Sequence, residues 1–91
     1  MEKLRKLLNK RGLYNTFNVL SLFNNYRADK HLFYQRLNEF SHYNSFLRIK
    51  DELLEKNLLL VDNHNKVSYY ELTAKGKRMY SLLKELYKLI D

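Results

Sequence analysis

The sequence predicts a mostly helical α+β domain, and three observations carry that expectation. Proline is absent and glycine is limited to Gly12 and Gly76, so helices meet few breaks. Apolar residues recur at helical spacing along most of the chain. Between Leu58 and Leu72 that spacing gives way to strand formers on either side of a polar, turn-rich stretch. The 91 residues, 45% hydrophobic and 30% charged, suit a single domain, residues 1–91. A chain of this size buries roughly 60 to 65% of its unfolded surface and has little room for a deep substrate pocket.

Leu4, Leu7 and Leu8 share one face of a basic N-terminal helix within residues 1–12, which Gly12 breaks or bends. From Leu13 to about Asn25, the sets Leu13, Phe17, Leu20 and Val19, Phe23, Tyr26 form two adjacent stripes, the wide face of a buried helix that Asn24-Asn25 can end. Asp29 is placed to cap a helix running to about Asn38, with Leu32, Phe33, Leu37 and Phe40 as its inward positions. A turn at Phe40-Ser41-His42 leads into a helix from about Tyr43 to Lys56. Phe46, Ile49 and Leu53 face inward on it, Leu47 and Leu54 lie on the flank, and Asn44, Ser45, Arg48, Asp51, Glu52 and Glu55 take the opposite face. Lys50 falls in the apolar arc, where either its stem lies along the surface or the helical phase shifts locally.

The runs Leu58-Leu59-Leu60-Val61 and Val67-Ser68-Tyr69-Tyr70-Glu71-Leu72 read as a β-hairpin around Asp62-Asn63-His64-Asn65-Lys66. Thr73 caps a last helix, within residues 73–91, that extends to about Ile90. On it Met79, Leu83, Leu86 and Ile90 follow +4, +3, +4 spacing, and Tyr80, Leu82, Tyr87 and Leu89 widen the apolar face. One side of so wide a face suits the domain and the other a second chain, so a homodimer is expected, with Met79, Leu83, Leu86 and Ile90 at its interface. Tyr14, Tyr26, Tyr80 and Tyr87 suit core or dimer edges.

Composition narrows the function. Cysteine is absent, which removes disulfides, thiolate nucleophiles and cysteine zinc sites and fits a cytoplasmic protein. No apolar run approaches the ~18 residues of a membrane span, and no membrane partner is expected. His31, His42 and His64 lack metal-ligand spacing, and no nucleophile–base set, paired catalytic carboxylates or glycine-rich phosphate loop can be identified. Neither an enzyme nor a cofactor is expected. The net charge of +7 is unevenly spread. Residues 1–50 hold Lys/Arg at 3, 5, 6, 10, 11, 27, 30, 36, 48 and 50 against acids at 2, 29 and 39, whereas residues 51–91 hold seven of each. Such a one-sided excess suits a polyanion partner. The basic N-terminal segment suits packing beside the last helix or trailing along DNA better than lying on a membrane surface.

The order helix, helix, turn, helix, β-hairpin, helix resembles that of winged helix-turn-helix domains, and two strings add detail. Leu53-Leu54-Glu55-Lys56-Asn57-Leu58-Leu59 is similar to that family's leucine-x-x-lysine-glycine-leucine-isoleucine join between recognition helix and wing, with Asn57 in place of glycine. Asparagine is the next-best residue for a left-handed helix end. Tyr70-Glu71-Leu72-Thr73-Ala74-Lys75-Gly76 is similar to the string that closes the wing in MarR-like, PadR-like and small archaeal or archaeal-virus winged-helix proteins. The joint resemblance covers residues 13–90. It implies sequence-specific binding of double-stranded DNA by a transcriptional regulator, in host cytoplasm if the source is viral. The helix that starts near Tyr43 would enter the major groove N-terminus first, with Asn44, Ser45 and Arg48 at base edges. Asn63, His64, Asn65 and Lys66 at the wing tip, with Lys30 and Arg36 on the preceding helix, would meet the DNA backbone. A DNA-organising protein of low sequence preference is the nearest alternative, and a protein-interaction module, favoured by the acidic C-terminal end of the recognition helix, is the alternative from another class.

Overall fold

The computed structural model describes residues 11–90, so the basic helix expected over the first ten residues lies outside the described residues. Within them run α1 (Arg11–Leu20), a 3-10 turn (Asn24–Tyr26), β1 (Arg27–Asp29), α2 (Lys30–Glu39), α3 (Tyr43–Glu55), β2 (Leu59–His64), β3 (Val67–Leu72) and α4 (Ala74–Ile90). The described residues are therefore α+β and mostly helical, with a three-stranded antiparallel sheet in the order β1-β3-β2. This layout is compatible with a winged helix.

The helix ends follow from local chemistry. One Asp29 carboxylate oxygen accepts from the backbone N–H of His31 at 2.7 Å and of Leu32 at 3.4 Å, which caps α2. Helix α2 ends with His42 N–H bonding to Leu37 O at 2.7 Å and Ser41 N–H to Asn38 O at 3.1 Å. Helix α3 repeats the pattern, Leu58 to Leu53 at 2.9 Å and Asn57 to Leu54 at 3.1 Å. Both are Schellman closures, and their left-handed residues are Ser41 at φ 60° and Asn57 at φ 63°. Asn57 thus takes the left-handed position that glycine often fills at a helix end. Thr73 Oγ1 accepts from Gly76 N–H at 2.9 Å to cap α4 and donates to Asn57 O at 2.7 Å.

The first half of the chain departs from expectation. Gly12 is the second residue of α1, and the helix it is expected to break or bend lies outside the described residues. Helix α1 stops at Leu20, not near Asn25, because Leu22 and Phe23 turn back on Val19 and Leu20 with i→i+3 bonds. Asn25 and Tyr26 then take positive φ, 58° and 55°, while the Tyr26 ring packs edge-on against Tyr80 at 6.2 Å. The reversal frees Arg27–Asp29 to pair with Tyr69–Glu71, a strand the sequence pattern does not disclose.

The core lies between the helices and one face of the sheet. It includes Leu13, Phe17 and Leu20 of α1, Phe33 and Leu37 of α2, Phe46, Ile49 and Leu53 of α3, and Tyr70 and Leu72 of β3. Leu32 and Phe40, expected inward, are about half exposed. Both glycines sit where a helix meets another segment's backbone. A Cβ at Gly12 would collide with the Ser45 carbonyl of α3, and one at Gly76 with the Leu58 carbonyl. Space, not φ, requires them.

Gly12→Ala is therefore expected to lower stability by about 1–3 kcal/mol from overpacking, although alanine gains roughly 1 kcal/mol in helix propensity. Urea unfolding decides the sign; a raised midpoint means that α1 and α3 separate freely.

Candidate nucleic-acid interface

Tyr70 positions the hairpin against α2 and α3. Its backbone lies in the central strand, opposite Ala28 of β1 and Val61 of β2. Its side chain is 1% exposed, with ring centroids 5.6 Å from Phe33, 5.3 Å from Phe46 and 6.0 Å from Tyr34. The Tyr70 and Tyr34 hydroxyls hydrogen bond at 2.9 Å. Burial, and then this hydrogen bond, push the Tyr70 phenol well above its ordinary pKa, so it stays protonated. Tyr34 in turn meets Tyr43, the first residue of α3, at 5.2 Å.

With Phe46, Ile49 and Leu53 buried, α3 leaves Asn44, Leu47, Arg48, Asp51 and Glu55 exposed in one row. Asn44 and Arg48 lie on the solvent face, as their phase implies. Arg48 has no ion pair among the described residues. Ser45 is half-buried because its backbone is where α1 approaches at Gly12. Lys50 is also half-buried, and Glu52 pairs with Lys56 at 2.9 Å. Leu47, on the flank by sequence, is 41% exposed within the row. Its position three residues after Asn44 and directly before Arg48 is the signal that places it there.

The hairpin is longer and its turn shorter than the sequence suggests. Asp62, Asn63 and His64 belong to β2, and His64 pairs with Val67 across a two-residue turn, Asn65-Lys66. These residues have φ of 50° and 66°, as a type I′ turn requires. Asparagine tolerates that region, whereas lysine is held in it at a cost. Asn63, His64, Asn65 and Lys66 are all exposed, and Asn63 Oδ1 accepts from the Ser68 hydroxyl at 2.6 Å. On the sheet, Arg27 reaches Asp62 at 2.8 Å and Glu71 at 2.7 Å and lies 4.2 Å over the Tyr69 ring. Hydrogen bonds to Glu71 and then Asp62 raise its pKa further.

Charge already engaged within the domain is less available to a partner. Arg27 is held in this way, and the exposed Arg36 meets Glu39 at 3.2 Å. The half-buried Lys30 places Nζ 5.1 Å over the Tyr70 ring. Arg48 and the tip residue Lys66 are exposed without such partners among the described residues. No group of three or more potential metal ligands occurs among the described residues, and no described helix is long and apolar enough to cross a membrane.

Helix α4 divides its apolar residues. Tyr80 and Leu83 are buried in their own domain, and Met79 packs partly against that core. Leu82, Leu86, Leu89 and Ile90 stay exposed at 47%, 51%, 83% and 78%. The exposed side therefore carries Leu82 and Leu89 with the expected Leu86 and Ile90, while the expected Leu83 faces inward. An apolar groove of about 330 Å³ runs beside it, lined in part by Leu58, Met79, Leu82 and Leu86. Tyr14 packs on Tyr80 and Tyr87 at ring distances of 5.8 and 4.5 Å. The sequence matches no family model and no curated protein.

The turn geometry sets a trade-off at Lys66. Lys66→Gly relieves the positive φ and is expected to stabilise the domain by about 1 kcal/mol, read as a raised thermal midpoint. An unchanged or lowered midpoint means that the lysine is not strained there.

Proposed function

We propose that the chain is a winged helix-turn-helix protein that binds double-stranded DNA sequence-specifically, as a homodimer, and regulates transcription. The observation that supports this reading most is the exposed, non-acidic first half of α3, with Asn44 and an Arg48 that has no ion pair among the described residues on one row, beside a hairpin tipped by Lys66. A helix of about 10–12 Å diameter with its side chains fits a major groove about 12 Å wide. Arg48 then donates to guanine, Asn44 pairs with adenine, and the half-buried Ser45 has a smaller part. The wing-tip residues, with Lys30 and Arg36, meet phosphate. The Arg36–Glu39 pair is no obstacle, since exposed pairs contribute little. The exposed acids Asp51 and Glu55 lie toward the end of α3 that points out of the groove.

A protein-interaction module is the second reading. Leu22, Leu32 and Phe40, exposed at 58%, 50% and 48%, favour it, because duplex DNA has no use for that apolar surface.

Arg48→Ala is expected to cost ~1–3 kcal/mol on a selected duplex and far less on random duplex, whereas Lys66→Ala weakens both alike and lowers the salt slope by about one unit. Titrations at several salt concentrations read both effects. Equal losses from Arg48→Ala on every duplex favour the DNA-organising alternative; no salt-dependent binding at all favours the interaction module.

The dimer reading rests on the exposed row of α4. Leu86→Lys combined with Leu89→Lys is expected to give a folded monomer by sedimentation, whereas Leu83→Lys unfolds the domain. A monomeric unmodified chain at tens of micromolar, a usual assay concentration, removes the homodimer.

A further inference from the structure

The exposed row of α3 contains one large apolar side chain. Leu47 lies between Asn44, one turn before, and Asp51, one turn after, with Arg48 beside it. The inner face of the helix is already filled by Phe46, Ile49 and Leu53, so Leu47 is not needed for the core. A single exposed leucine is ordinary by itself; the chemistry of its neighbours gives it meaning. Asn44 and Arg48, on either side of it, are hydrogen-bond donors.

The major-groove edges of B-DNA present acceptors on purines, an amino donor on cytosine and one apolar group, the C5 methyl of thymine. From residue 44 to residue 48 a helix climbs roughly 6 Å, about two base-pair steps. The entering half of the row therefore holds donors for the purine acceptors, and Leu47 is its only member that suits the methyl. Building on the DNA-binding reading, we infer that Leu47 is a specificity-determining residue that packs on the C5 methyl of a thymine adjacent to the base held by Arg48. Duplex RNA is discriminated against twice over: uracil lacks the methyl, and the A-form major groove is closed to side chains.

The test removes one methyl group at a time. Duplexes are selected from a random pool with the unmodified protein, and each thymidine is replaced in turn by deoxyuridine, which keeps base pairing and loses only the methyl. One thymine next to a guanine is expected to be sensitive, its replacement weakening binding about fourfold, the worth of one buried methyl. Leu47→Ala should bind the thymine duplex several-fold more weakly and lose that sensitivity, whereas Arg48→Ala should retain it. Leu47 is exposed, so the variant's melting temperature should equal that of the unmodified chain. Selected binding with no methyl-sensitive position, or a Leu47→Ala variant as sensitive as the original, overturns the role of Leu47 alone. Failure to select any duplex overturns DNA binding itself and this role with it.

Discussion

The structure depends on the burial of one phenol at the junction of the sheet and two helices. Tyr70 contributes its backbone to the ladders with β1 and β2 and its ring to the contacts with Phe33 of α2 and Phe46 of α3. Its hydroxyl is compatible with that burial because Tyr34 reaches it; an unpartnered buried hydroxyl costs about 1–3 kcal/mol. Hydrophobic area, aromatic edge contacts and a single hydrogen bond thus converge on one residue. Hairpin, α2 and α3 are held together as one body, so their relative orientation is a property of the core rather than of the loops between them.

Around that junction, backbone meets backbone at both ends of α3. Near its start, Gly12 lets α1 approach the Ser45 carbonyl; past its end, Gly76 lets α4 approach the Leu58 carbonyl. The only two glycines in the chain are both spent on such contacts, and the left-handed positions among the described residues fall to Asn25, Tyr26, Ser41, Asn57, Asn65 and Lys66. Asparagine and serine bear the left-handed conformation at some cost, which leaves glycine for positions where any Cβ is excluded.

Much of this architecture is legible in the sequence, and the exceptions have physical causes. The limits of α2, α3 and α4 follow from Asp29, Ser41, Asn57 and Thr73, whose capping chemistry is local. Strand β1 is not legible, because Arg27-Ala28-Asp29 becomes a strand only through the edge that β3 offers, more than forty residues away. Helix α1 ends early because Leu22 and Phe23 turn back on Val19 and Leu20, a reversal that no glycine or proline signals. In the candidate interface, the exposure of Asn44 and Arg48 follows from helical phase, but the partial burial of Ser45 depends on a neighbouring helix. The wide apolar face of α4 does not reveal which edge rests on the domain, so Leu83 faces inward and Leu82 outward. The tally of positive charge likewise hides that Arg27 and Arg36 are already engaged.

In the proposed DNA-binding dimer, the joint between α3 and α4 links reading to assembly. Thr73 bonds through its hydroxyl to Asn57 O, Lys75 Nζ donates to Lys56 O at 3.0 Å, and Thr73 N–H donates to Leu58 O at 3.2 Å. Three hydrogen bonds thus stitch the start of α4 to Lys56, Asn57 and Leu58, just past the end of α3, where Gly76 approaches the Leu58 carbonyl. In a pair of chains joined along α4, this weld acts as a bracket: it sets the distance and angle between the two copies of α3, much as a hinge pin sets the gap between two door leaves. Lengthening the hairpin leaves the bracket unchanged, because both anchors lie at its base. In such a pair, hairpin length and tip can therefore vary without disturbing the spacing of the two α3 helices, while any change at the weld alters that spacing at once.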